Sequence, residues 1–170
     1  NHPLLRKYYL TDRDRDEYRL RADFAPGATV NIGLAASYAE DDYDESFFGL
    51  NNAKVRSYSL DAGWYPQEHI ALTGFYTREE YDSDQSARFF FNDRSAEDPD
   101  NDWFVDSRDK VDTWHFALTF KDLGAERGWK GLDFGLDYTY SDTRSDIDVT
   151  AVTWDTAPLP PLQARMRTFT

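Results

Sequence analysis

The chain has no cysteine and a single methionine among its 170 residues. That excludes a disulfide framework, a thiolate metal site and covalent haem attachment. Basic residues are few: 19 Lys and Arg stand against 32 Asp and Glu, for a formal charge of −13. A nucleic-acid binder needs a basic face to neutralise phosphates, so no nucleic-acid partner is expected. Long apolar runs are missing too, and no stretch approaches the ~18–20 consecutive apolar residues of a spanning helix. Histidine is scarce, and His2, His69 and His115 are too scattered to suggest a metal cluster. What is plentiful is aromatic: 12 Phe, 11 Tyr and 5 Trp, in a chain whose mean hydropathy is only −0.77. Disordered segments are poor in such residues. The sequence therefore describes something folded, polar on average and not helical. The length fits one domain or part of one. Residue Asn1 opens no secretory signal, and residues 163–170 read as the start of an extended strand. Both ends are expected to be cuts through a longer protein.

Strict alternation is the dominant pattern. Tyr18, Leu20, Ala22 and Phe24 alternate with Arg19, Arg21 and Asp23. Val30, Ile32, Leu34, Ala36 and Tyr38 alternate with Asn31, Gly33, Ala35 and Ser37. Tyr58 to Trp64, Ile70 to Tyr76, Trp114 to Phe120 and Leu132 to Tyr140 repeat it, weakly in the second case because Phe75 has the opposite parity. Period two means half-buried antiparallel strands. Six are predicted, with a seventh beginning near Arg165.

The connections carry a second signal. Short turns are expected near 25–29, 66–69 and 121–131, with Pro and Gly supplying the geometry. Long acidic loops are expected near 39–54, 78–111 and 141–163. Short and long alternate, so in a meander one edge is trimmed and the other bears large polar loops. Outer-membrane β-barrels have that asymmetry, with short periplasmic turns and long extracellular loops. The even-numbered face is aliphatic and aromatic; the odd-numbered face is small and polar, as a wet lumen requires. Aromatics gather near strand ends, where interfacial girdles lie. The expected fold is all-β, an antiparallel up-and-down meander forming one segment (1–170) of a transmembrane outer-membrane β-barrel. A soluble β-sandwich binding carbohydrate or calcium through its loops also alternates, with its apolar face turned into a shared core. Periodicity alone does not choose between them.

Several stretches resemble the MtrB/PioB family of decahaem-associated outer-membrane proteins. They are Leu5 to Asp16, Tyr38 to Asp44 with Phe48-Gly49-Leu50, Phe75 to Glu79, Leu136 to Ser141, and Pro158-Leu159-Pro160 before the last strand. The Cys-x-x-Cys motif often found in that family's N-terminal portion has no counterpart in this chain. The resemblance implies a bacterial outer-membrane barrel, not an enzyme, that sheathes a periplasmic or lumenal multihaem c-type cytochrome. An extracellular multihaem cytochrome is a further implied partner, and outer-membrane lipid surrounds the barrel. Haem would be carried by the cytochrome, none being bound covalently by this chain. A general porin with no cytochrome shares every pattern described.

Arg19, Arg21, Asp23, Asp61, His115, Asp133 and Asp137 fall on the predicted lumen face. They are candidates for contact with an enclosed cytochrome, and equally for cross-strand charge pairing inside a wet barrel. Asp98, Asp100, Asp102, Asp106 and Asp109 occupy loop positions 1, 3, 5, 9 and 12, a spacing that can wrap oxygen ligands around calcium. Trp103 stands where that loop wants glycine, and no helix flanks it. Acidic pairs such as Glu79 and Glu80 lack the cleft a glycosidase needs. Phe89, Phe90 and Phe91 are expected to pack within their loop.

Overall fold

The computed structural model describes residues 12–43, 47–89, 97–124, 131–152 and 161–170. They form one seven-stranded antiparallel sheet in strict sequence order. The strands are β1 (Asp14–Gly27), β2 (Val30–Asp42), β3 (Gly49–Gln67), β4 (Ile70–Arg88), β5 (Asp102–Phe120), β6 (Phe134–Ala151) and β7 (Leu162–Phe169). Two-residue turns join β1 to β2 and β3 to β4, each preceded by a register shift that contains a proline, Pro26 or Pro66. Proline has no N–H for the ladder, so a bulge at the strand end is where a sheet accepts it. The β5–β6 connection is longer. Asp122 takes a positive φ of 51° there, and its N–H donates to the Asp133 carboxylate at 3.0 Å.

The sheet reaches further than apolar alternation predicts. The residues expected as loops at 39–54, 78–111 and 141–163 are largely strand, and the connections shrink to 43–48, 89–101 and 152–161. β4 and β5 pair without interruption over all 19 residues of each. The reason lies on the even-numbered face. Beyond Tyr76 it continues as Arg78, Glu80, Asp82 and Asp84; beyond Trp114 it continues as Asp112, Lys110, Arg108 and Asp106. Charged residues keep period two as faithfully as apolar ones, but their composition reads as loop.

The sheet has no core. Among the described residues the buried apolar side chains are Ala39, Phe48 and Ala53, whereas Leu20 is 72% exposed and Leu136 54%. No second layer covers the apolar face, so the shared interior of a sandwich is absent from the described residues. Contiguous apolar surface on this scale marks a partner or a membrane.

Candidate functional site

Every strand crosses the same chemical border on that face. Reading toward the long connections, an aromatic residue is followed two positions on by a charged one. The pairs are Tyr18 and Asp16, Tyr38 and Glu40, Tyr58 and Arg56, Tyr76 and Arg78, Trp114 and Asp112, Tyr140 and Asp142, Phe169 and Arg167. In β7 the odd positions share this face, because Tyr140 pairs with Phe169 and Asp142 with Arg167. Tyr76 and Trp114 rings sit 4.1 Å apart, and Tyr140 and Phe169 5.0 Å apart. The Tyr38 hydroxyl donates to Glu40, and that of Tyr76 to Asp112 at 2.6 Å. Each such tyrosine sits at the edge of the apolar band and turns its hydroxyl to the charged side, the arrangement suited to a membrane–water interface. On the short-turn side a second aromatic border runs through Phe24, Trp64, Phe120 and Phe134. No charged residue faces outward between the two borders on β1–β6.

The borders are slanted. Tyr18 and Tyr38 share a hydrogen-bonded row, Tyr58 lies one row nearer the short turns, and Tyr76, Trp114, Tyr140 and Phe169 one row nearer still. The lower border shifts the same way, from the Phe24–Ile32 pair to the Phe120–Phe134 pair.

The opposite face is low and polar. Asp23, Gly33, Asp61, Phe75, His115 and Thr139 form one row across six strands. Three of the lumen candidates thus share a single stripe. A Cβ at Gly33 would collide with the Asp61 carboxylate, so the glycine makes room for the acid. His115 stacks on Phe75 with ring centroids 4.8 Å apart. Its Nδ1 hydrogen-bonds Thr139 Oγ1 at 3.0 Å, and Nε2 lies 3.5 Å from Asp137. Phe75 breaks the apolar parity of its strand because it is this stacking partner.

Two expectations about these residues need correction. Asp133 precedes β6 and caps the β5–β6 connection, so it does not belong to the lumen wall. The lumen candidates on β1 pair along the strand instead of across it: Arg21 with Asp23 at 2.8 Å and Arg19 with Glu17. Positions i and i+2 share a face, and the small residues opposite on β2, Gly33 and Ala35, offer no charge.

The calcium spacing does not become a calcium loop. Asp98 caps a short 3-10 turn, accepting from the Asp100 N–H at 3.0 Å, and Asp102 pairs with Arg88. Asp106 then points to the outward face and Asp109 to the other, since both lie in β5. A strand alternates its side chains and cannot wrap an ion. Among the described residues no group of three or more acidic, histidine or cysteine side chains is placed to hold a metal. Phe89 packs against Trp103, with ring centroids 5.9 Å apart; Phe90 and Phe91 lie outside the described residues, as do Leu5–Thr11, Asp44 and the 158–160 segment.

The family model for the outer membrane beta-barrel porin MtrB/PioB matches residues 1–170. The chain belongs to the MtrB/PioB family. Outer membrane protein MtrB of Shewanella baltica (strain OS185) is 31% identical over 146 residues, covering 86% of this chain and 19% of that relative. The chain thus spans about a fifth of the relative's length. Membership makes the uncovered apolar band the lipid-facing surface of an outer-membrane barrel, and the small polar face its lumen wall. The MtrB/PioB family is porin-like and not a family of enzymes. In such barrels the long connections are extracellular, so the charged ends of the strands lie on the outer-leaflet side of the apolar band. Of the outward charges, Arg78, Lys110 and Arg144 escaped sequence reasoning because they sat in presumed loops, whereas Arg56 lay between a presumed loop and its strand and Arg165 and Arg167 at the start of the expected seventh strand. Their unbroken even spacing was the signal that could have found them.

Proposed function

We propose that this chain is part of the wall of a barrel that houses and insulates a multihaem c-type cytochrome, carrying electrons across the outer membrane. The observation that supports it best is the low lumen face: Gly, Ala, Ser and Thr predominate there from Gly33 to Ser141, leaving space against the wall for an enclosed protein. The wall's own role is passive and non-enzymatic. This chain has no cysteine to attach haem, and both ring nitrogens of His115 face Thr139 and Asp137, so the haems belong to the cytochrome. The barrel contributes a water-tolerant hole, an insulating wall and polar contacts from Arg19, Arg21, Asp23, Asp61, His115 and Asp137. A haem wire exposed directly to lipid would bury its charged propionates unpaired, at large cost. An extracellular multihaem cytochrome docking at the open end completes the path.

The test is co-purification of the full-length parent from detergent-solubilised outer membrane, with haem absorbance followed across the size-exclusion peak. Haem co-eluting at fixed stoichiometry is expected. A haem-free barrel from cells that make the cytochrome would leave a general porin and end this reading.

A further inference from the structure

One outward feature has no part in a passive wall. In register across three neighbouring strands, Lys110 of β5 faces Arg144 of β6, and Arg144 faces Arg165 of β7. Like charges directly opposed destabilise a strand pair, and the nearby carboxylates offset them only in part. Asp142 is shared by Arg144 at 3.0 Å, Arg165 at 2.8 Å and Arg167 at 3.5 Å. Asp112 keeps its charge but accepts from the Tyr76 hydroxyl, and Asp146, two residues from Arg144 on the same face, makes no ion pair with the patch among the described residues. Glu80, on the other side of Lys110, is held by Arg78 at 2.9 Å and Arg56 at 3.8 Å. Lys110 has no ion pair among the described residues, and the three arginine side chains remain 46–55% exposed.

The depth of this patch is informative. Arg167 is two residues beyond the Phe169 border, and Lys110, Arg144 and Arg165 are four residues beyond Trp114, Tyr140 and Phe169 respectively. At ~3.3 Å per residue on a tilted strand these lie roughly 6–11 Å above the aromatic border. The headgroup layer of a bilayer is about 5–8 Å deep on each side, and long basic side chains reach back toward it along apolar surface. Guanidinium groups bind phosphate oxygens in bidentate fashion.

We propose that Lys110, Arg144, Arg165 and Arg167 form a binding site for the phosphate groups of a lipid headgroup in the outer leaflet. The lipid's acyl chains lie against the apolar band below, and its phosphate relieves the repulsion between opposed cations. This rests on the outer-membrane location and is independent of any cytochrome in the lumen.

Full-length protein purified from outer membranes in mild detergent is examined by native mass spectrometry for bound phosphorylated lipid. Unsubstituted protein should retain it, and K110Q/R144Q/R165Q should retain at least tenfold less. Equal retention by the two would overturn the site. Should the triple variant not fold, delipidated unsubstituted protein is titrated with a phosphorylated lipid and with the same lipid dephosphorylated. At least a tenfold preference for the former supports the site, and equal binding overturns it. Inorganic phosphate alone is the remaining arm: binding of millimolar phosphate by delipidated protein that does not take up the phosphorylated lipid would assign the patch to a free anion and overturn the lipid.

Discussion

Replacing Leu136 by arginine puts a cation on the lipid face inside the apolar band, two residues from Phe134 and four from Tyr140, with Leu118 directly opposite. Leu136 leaves 54% of its surface uncovered by protein, so lipid supplies about half of its full burial, roughly 1–1.5 kcal/mol. Arginine forfeits that and adds about 2–4 kcal/mol for a cation near the bilayer midplane. The expected destabilisation is about 3–5 kcal/mol. Asp148→Arg, on the same face of the same strand but beyond the aromatic border and opposite Asp106, should cost less than about 0.5 kcal/mol, in keeping with an exposed surface position. The assay is denaturant unfolding of the full-length parent in lipid vesicles, followed by tryptophan fluorescence. A Leu136→Arg change no larger than that of Asp148→Arg would refute the assignment of this face to lipid.

Two further outcomes follow from the same geometry. Among single-tryptophan variants of the full-length protein, Trp64 and Trp114 should be quenched best by lipids brominated high on the acyl chain, because they occupy the two borders, while Trp103 should escape quenching. A Cβ at Gly74 would come 3.0 Å from the His115 backbone carbonyl, whereas one at Gly135 would meet nothing within 4 Å. Gly74→Val should therefore destabilise by about 1–3 kcal/mol through overpacking, and Gly135→Val by much less, as measured by the same unfolding assay.

The strand cores, their order and the choice of lipid face were legible because lipid and lumen impose opposite demands on neighbouring residues. Tyr58 to Trp64 and Trp114 to Phe120 announce themselves in that way. The strand extensions were not legible, because outside the bilayer both faces meet water and selection on residue type no longer marks a strand. Asp106 and Lys110 look like loop residues for that reason. Asp133 shows a different failure: parity continued one residue past the strand's actual start, and nothing local separates a capping aspartate from a lumenal one. The along-strand pairing of Arg21 with Asp23 depended on what stood opposite, which is a matter of register and not of sequence pattern. The calcium spacing failed because linear spacing becomes convergence only in a turn.

The slanted borders have a geometric consequence. Between β1 and β6 the lower border moves by about four residues, roughly 13 Å, while the sheet advances some 24 Å at ~4.8 Å per strand. The ratio corresponds to strands inclined by about 30° to the membrane normal, close to the ~35–45° of outer-membrane barrels. A hydrogen-bonded row is then a shallow spiral, not a ring at constant depth. Tyr18 and Lys110 belong to one such row, yet the first lies at the interface and the second has climbed past it. Inclination also widens each strand's footprint on the perimeter to about 5.5 Å, so these seven strands account for nearly 40 Å of circumference.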